Sequence, residues 1–310
     1  MSLAMRDPDS LHRFLFERYP IRGHLVRLDA SWRALLERRD YPPAIRDTLG
    51  EAVAASALLA ATLKFDGTLS LQLQGQGPLY LLVAQCTNDL AVRGVARYRE
   101  AVDSRDLSVL SGKGQLSVTV EGQDLPQRYQ GVVPLAGPRL AECLQAYFDQ
   151  SEQLPTRLWL HAEEAGAYGM LLQRLPVSAM EQGNGAPSPR TPPSPEEIDD
   201  AWRRVQLLGD TLKPEELATL SERTILRRLF PEDDVRLFEP APVFFRCRCS
   251  RERVINMLRA LGSDDLRALL AERGKVEVRC DFCNRAYEFD AVDVEHFLSP
   301  QATSGSERRH

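Results

Sequence analysis

The sequence predicts an α+β protein with three parts: an N-terminal domain of helices and a mixed sheet, a helical connector, and a small C-terminal metal-binding domain. Three observations predict it. Segments alternating apolar and polar residues follow one another across short glycine turns, with helical patterns grouped before and after them, which argues against a doubly wound sheet. Composition then breaks at Glu181 into a run rich in Pro, Gly and Ser. Finally, four of the six cysteines fall in the last quarter of the chain, as Cys247-x-Cys249 and Cys280-x-x-Cys283.

The chain opens with a short apolar-rich segment, Leu11 to Glu17, and a strand pattern, Ile21 to Asp29. Trp32, Leu35 and Leu36 recur at helical spacing. Pro42-Pro43 then starts a second helix reaching to Leu63, nearly apolar from Ala52 to Ala61 and therefore expected in the core. Leu69 to Cys86 gives two strands around Gly75-x-Gly77-Pro78. A phosphate loop should run from strand to helix, so this glycine pair reads as a hairpin, as does Gly112-Lys113-Gly114 before the next strand. A helix from Pro138 to Gln150, a strand from Thr156 and another from Tyr168 to Pro176 complete the N-terminal α+β domain, residues 1–179.

Residues 180–240 form the connector. Its first part, EQGNGAPSPRTPPSP, cannot bury enough apolar surface to fold. Ser194-Pro195-Glu196-Glu197 supplies a helix cap, a first-turn proline and a capping-box glutamate. Ile198, Trp202, Val205 and Leu212 then share one face, which calls for an apolar partner surface. A second start at Lys213-Pro214 leads into Leu217, Leu220, Ile225, Leu226, Leu229 and Phe230. The connector holds 13 acidic and 8 basic residues, so the formal net charge of -5 resides here.

Residues 241–298 form the tail domain, with a disordered tail at 299–310. Two short helices are expected, one carrying Val254, Met257, Leu258 and Leu261 and one capped by Ser263, followed by strands in KVEVRC and RAYEFD. Two short cysteine pairs separated by a medium loop are the layout of a four-thiolate zinc site, one ion per chain, held by Cys247, Cys249, Cys280 and Cys283. Zinc and disulfides exclude one another there, since sulfurs around zinc lie roughly 3.8 Å apart and a disulfide needs about 2.05 Å. Two readings follow: a permanent clip stabilising the tail, or a redox switch in which oxidant ejects the metal.

At 310 residues, 43% hydrophobic and 27% charged, the chain has room for two domains of ordinary globular composition. It contains no run of eighteen apolar residues, and MSLAMRDPDS is too polar for a signal peptide. The expected location is the cytoplasm, where thiols stay reduced and a cysteine cluster binds metal. The tail holds 10 acidic and 10 basic residues, without the basic surplus of a nucleic-acid grip. Neither Cys86 nor Cys143 has a cysteine neighbour, so each reads as a small buried hydrophobe. His12, His24, His161 and His296 join no catalytic or metal constellation, and no enzyme is expected.

Taken together, LLAATLKFDGTLSLQLQGQGPL, YFDQSEQLPTRLWL, MLLQRLP, LFPEDDVRLFEP, FRCRCSRERV and VRCDFCNRAYEF resemble the bacterial redox-regulated holdase chaperone family, heat shock protein 33, over nearly the whole chain. The resemblance implies a stress chaperone that is inactive while reduced and zinc-bound. It implies that oxidation pairs Cys247 with Cys249 and Cys280 with Cys283, that zinc is released, and that the tail and connector unfold. The activated protein then dimerises and binds unfolding client proteins without ATP. The Pro-rich insert, Gly185 to Pro195, is longer than the resemblance leads one to expect.

Two other functions compete with this one. A zinc-stabilised RNA- or protein-binding module without redox switching would bind RNA in a salt-dependent way, which the neutral tail disfavours. Catalytic zinc is disfavoured because four thiolates leave no open coordination position.

Overall fold

The structure is a computed structural model and describes residues 9–122, 128–177 and 193–298. Most of the expected linker, and the tail after residue 298, lie outside the described residues. The chain divides into two compact units, Met1–Arg246 and Cys247–His310.

The first unit contains two antiparallel-rich sheets. One has the order β10-β1-β2-β9-β8 and the other β12-β5-β4-β3-β6-β7. In the first sheet β1 (Ser10–Phe16), β2 (Ile21–Leu28), β8 (Thr156–Ala162) and β9 (Ala167–Arg174) form the body; in the second it is β3 (Gly67–Gln74), β4 (Leu79–Thr87), β5 (Ala91–Tyr98), β6 (Gln115–Gly122) and β7 (Tyr129–Val133). A short helix α1 (Ala30–Leu36) leads into α2 (Pro43–Ala60), which packs against strands of both sheets. Its row of alanines makes this possible, because small side chains let strands approach from two sides. Burial reaches from Ala44 to Ala60 and takes in Asp47 and Glu51. The helix ends at Ala60 rather than Leu63, where the cap N–H of Ala61 turns back to the carbonyls of Ala57 and Leu59. Beyond it come α3 (Leu107–Ser111) and α4 (Leu140–Tyr147), the latter continuing into a π turn, Phe148–Glu152.

Ser10 to Phe16 is a strand, β1, although the segment lacks clear alternation. The cause is that both faces are covered. Leu11 joins the core around α2, whereas Phe14 and Phe16 join a second apolar cluster.

That second cluster is where the connector docks. Its helices are α5 (Pro195–Gly209), α6 (Pro214–Thr219) and α7 (Glu222–Leu229). The Ser194 hydroxyl accepts from the Glu197 N–H at 3.2 Å, and the Ser194 N–H donates to the Glu197 carboxylate at 2.8 Å, so the expected capping box forms. Ile198, Trp202, Val205 and Leu212 are all buried. The cluster packs Trp202, Val205, Ile225, Leu229 and Phe230 with Phe14, Phe16, Ile21, Leu25, Met170 and Leu172 from the sheet. Gly209 is required at its position: a Cβ there would collide with the indole of Trp159.

After α7 the chain adds three very short strands. β10 (Val235–Leu237) and β11 (Ala241–Pro242) pair antiparallel with β1, and β12 (Phe244–Phe245) pairs parallel with β5. The two compact units divide just beyond, after Arg246.

The second unit consists of α8 (Arg251–Leu261), α9 (Ser263–Arg273), a hairpin of β13 (Val276–Arg279) with β14 (Ala286–Phe289), and α10 (Ala291–Leu298). Its buried cluster is small: Val254, Leu258, Leu266, Val276, Tyr287, Phe289, Val294 and Phe297. Ser263 is the first helical residue of α9, and the capping position belongs to Gly262, at φ +100°. No helix among the described residues is long and apolar enough to cross a membrane.

Candidate metal centre

All four cysteines of the two sequence pairs meet in the second unit. One Sγ from each of Cys247, Cys249, Cys280 and Cys283 lies within 4.8 Å of every other. Two contacts run between the pairs, 3.5 Å for Cys247 to Cys280 and 3.4 Å for Cys249 to Cys283. No disulfide joins any of the six cysteines.

Local structure explains the convergence. Cys249 immediately precedes Ser250, whose hydroxyl accepts from the Arg253 N–H at 3.2 Å and so starts α8. This fixes where the first pair leaves the helix. The second pair occupies the turn of the β13–β14 hairpin, where the Cys280 N–H donates to the Arg285 carbonyl at 3.0 Å and the Asn284 N–H to the Cys280 carbonyl at 2.8 Å. Asn284 closes the turn at φ +53°, a left-handed conformation that asparagine tolerates better than most residues. Both pairs are half-buried.

The donor set fits a metal ion. Four sulfurs bonded at about 2.3 Å to one tetrahedral ion sit about 3.8 Å apart, between those sulfur contacts and the 4.8 Å limit of the cluster. All four converging donor atoms are sulfurs, which suits a thiophilic ion over calcium or magnesium.

One contributor escaped the sequence reading. The Tyr287 hydroxyl, from β14, donates to Cys249 Sγ at 3.1 Å. Its only sequence signal is the alternation that sends Tyr287 and Phe289 to the same buried side of β14. Burial, joined by the neighbouring thiols, pushes Cys247 up, and burial also raises Cys283. Against the same penalty, hydrogen bonds from Tyr287 and the other thiols bring Cys249 down to about 7.

The remaining cysteines lie in the first unit. Cys86 on β4 and Cys143 on α4 are both fully buried. Burial lifts the Cys86 thiol to about 12 and raises Cys143 as well, so neither presents a thiolate.

Comparisons with known proteins agree with one another. The family model described as Hsp33 protein matches residues 9–290. A 33 kDa chaperonin of Nitrosococcus oceani is 47% identical over 297 residues, covering 96% of this chain and 96% of its own length. One from Methylobacillus flagellatus is 44% identical over 309 residues, covering 99% and 100%. In fold, the chain is similar to the crystal structure of the 33 kDa chaperonin (heat shock protein 33 homolog) of Thermotoga maritima, with a TM-score of 0.75 at 24% identity, covering 94% of this chain and 98% of that one.

Proposed function

The chain belongs to the Hsp33 protein family, and from that premise we propose that it is a redox-regulated, ATP-independent holdase chaperone of the cytoplasm, and not an enzyme. Convergence of the four cysteine sulfurs within 4.8 Å is the observation that carries the reading. In it, Cys247, Cys249, Cys280 and Cys283 hold one zinc ion in the reduced chain. Bound there, zinc keeps all four sulfurs as thiolates and cross-links the two cysteine turns.

Those thiolates are the reactive groups. Peroxide transfers one oxygen to a cysteine sulfur, giving sulfenic acid and hydroxide; the neighbouring thiolate then attacks that sulfur, forming the disulfide and expelling a second hydroxide. We assign the disulfides as Cys247 with Cys249 and Cys280 with Cys283. Sulfurs of different pairs also touch in the folded unit, but once its fold loosens, residues one or three positions apart close a far smaller loop than residues about thirty apart. Two disulfides leave no thiolate donors, and the small core of the tail does not hold alone.

The functional division follows the sequence: a chaperone core at 1–179, a connector at 180–240, a switch domain at 241–298 and a terminal tail at 299–310. Loss of the switch releases the connector, whose Trp202, Val205, Ile225 and Leu229 and the sheet residues beneath become surface that binds unfolding client proteins. The activated chains pair as homodimers.

The test follows metal release against added peroxide at elevated temperature with a chromogenic chelator, scoring suppression of aggregation of a thermally unfolding client on the same samples. One zinc per chain should leave as holdase activity appears, and reductant should reverse the activity. Zinc that stays bound while activity appears, or leaves without any gain, refutes the switch.

A further inference from the structure

The last residues of the first unit are all held by one turn of the second sheet. Phe244 N–H donates to the Leu90 carbonyl at 3.3 Å and Arg246 N–H to the Val92 carbonyl at 3.1 Å. Arg246 Nη2 donates to both carboxylate oxygens of Asp89, at 3.0 and 2.7 Å, and the guanidinium lies 5.2 Å from the centre of the Phe244 ring. The next residue is Cys247, first of the four cysteines. With only two residues paired to β5, β12 has little hold of its own.

The β4–β5 turn presents these groups ready-made. The Thr87 hydroxyl donates to the Asp89 carboxylate and accepts from the Ala91 N–H at 3.0 Å. Leu90 N–H turns back to the Thr87 carbonyl at 2.9 Å, and Asn88 N–H donates to the Gly67 carbonyl at 3.1 Å. Thr87 is buried, so the carboxylate is set in place before Arg246 reaches it. Leu90 holds φ +60°, a costly conformation for a leucine that persists only where its surroundings over-determine it. A carboxylate already ordered loses less freedom on pairing, which puts this ion pair at the upper end of what exposed pairs contribute.

We propose that the turn is a catch. Asp89, with the Leu90 and Val92 carbonyls, holds residues 244–246 on the sheet whether or not the cysteine cluster is intact. Disorder that starts at the cluster then reaches the connector only in chains whose Asp89–Arg246 pair has opened. This consequence rests on the redox-switch reading, whereas the catch itself rests on the geometry of the first unit. Both side chains of the pair are solvent-exposed, so salt weakens the catch, and release responds to ionic strength as well as to oxidant.

Amide exchange followed by NMR on the full-length, reduced, zinc-loaded protein reads the catch at Phe244 and Arg246. Asp89→Asn keeps an acceptor for Thr87 and removes the charge. It should speed exchange at both amides about fivefold, the upper end for an exposed pair. Arg246→Gln should do the same, and the double variant should be no faster than either, because both remove one interaction. Raising salt from about 0.1 M to about 1 M should speed the parent toward the variants and leave the variants unchanged. After chelation of the metal the parent should keep both amides protected, with Asp89→Asn again about fivefold faster. Under peroxide, Asp89→Asn should show more holdase activity than the parent per zinc released. Exchange unaltered in the variants, additive between them, or unprotected in the chelated parent overturns the catch and leaves the switch reading standing. Exchange as expected, with no peroxide response in either chain, upholds the catch and refutes the switch.

Discussion

Arg27 on β2 donates its Nε–H to Oε1 of Glu222, at the first turn of α7, over 3.4 Å, and both side chains are buried. Nη1 donates to the carbonyl of Ala218 at 3.0 Å, and Nη2 to those of Leu217 and Leu220 at 3.1 and 3.0 Å. A buried cation of the sheet is thus satisfied mostly by the connector. Arg27→Met takes the guanidinium from the buried Glu222 carboxyl and leaves it facing the His12 imidazole at 4.0 Å, which destabilises by about 3–5 kcal/mol. We expect faster amide exchange across residues 214–229, unchanged exchange in β3 and β4, and client binding without oxidant. Unchanged exchange in the connector would show that Arg27 does not hold it.

Close approach gives a second handle on the same docking. Gly209→Ala sets a methyl group into the Trp159 indole, whose Nε1–H also donates to Asp210 at 3.1 Å. Overpacking of this kind costs about 1–3 kcal/mol, and it should lower the melting temperature and raise exchange in α5. A variant that melts like the parent would mean that the helix slides aside freely.

Metal removal should divide the molecule by unit. With eight residues in its buried cluster, the second unit depends on the cross-link between its cysteine turns, because structural zinc contributes about 10–16 kcal/mol in small finger peptides. Chelation is expected to abolish the helical signal of residues 251–298 and leave the first unit's melting transition in place. Tyr287→Phe, which deletes the hydrogen bond to Cys249, should weaken metal binding about tenfold in a chelator competition.

Cys86 and Cys143 should be spectators. Buried and held as thiols, they are expected to resist alkylation in the native protein while the tail cysteines of the metal-free protein react. A Cys86→Ala, Cys143→Ala chain should keep the full peroxide response; loss of that response with the fold intact would assign them a redox role.

Glu51 sets a pH dependence. Burial lifts its carboxyl to about 7 against the pull of Arg139, 3.0 Å away. A carboxyl with a raised folded pKa keeps its proton when the unfolded chain has lost it. Stability therefore falls as pH rises from the ordinary carboxylate value near 4.5 to about 7, and stays level above. The loss is about 3 kcal/mol. Glu51→Gln should melt above the parent at pH 8, and the gap should close near pH 4.5. A gap independent of pH would rule out titration of Glu51 as its source.

Legibility followed periodicity and spacing. The four-cysteine cluster was readable because ligand spacing is written along the chain, and α5 because Ser194, Pro195 and Glu197 announce a helix start locally. Strand β1 was not, since Leu11 and Phe14 are buried on opposite faces and erase the alternation. Nor were β10, β11 and β12, whose two or three residues are strands only because β1 and β5 lie beside them. Tyr287 and Arg27 matter through partners far away in sequence, 38 and 195 residues distant respectively, and no local pattern carries such information.

The stretch from Val235 to Phe245 closes the open margin of both sheets at once, β10 and β11 along β1 and β12 along β5. Peeling it away would uncover two rows of unpaired backbone donors and acceptors, each able to template an incoming extended chain. A chaperone that activates by shedding this hem acquires the very hazard it guards against in others. Refolding speed after the stress passes then matters as much as the speed of activation.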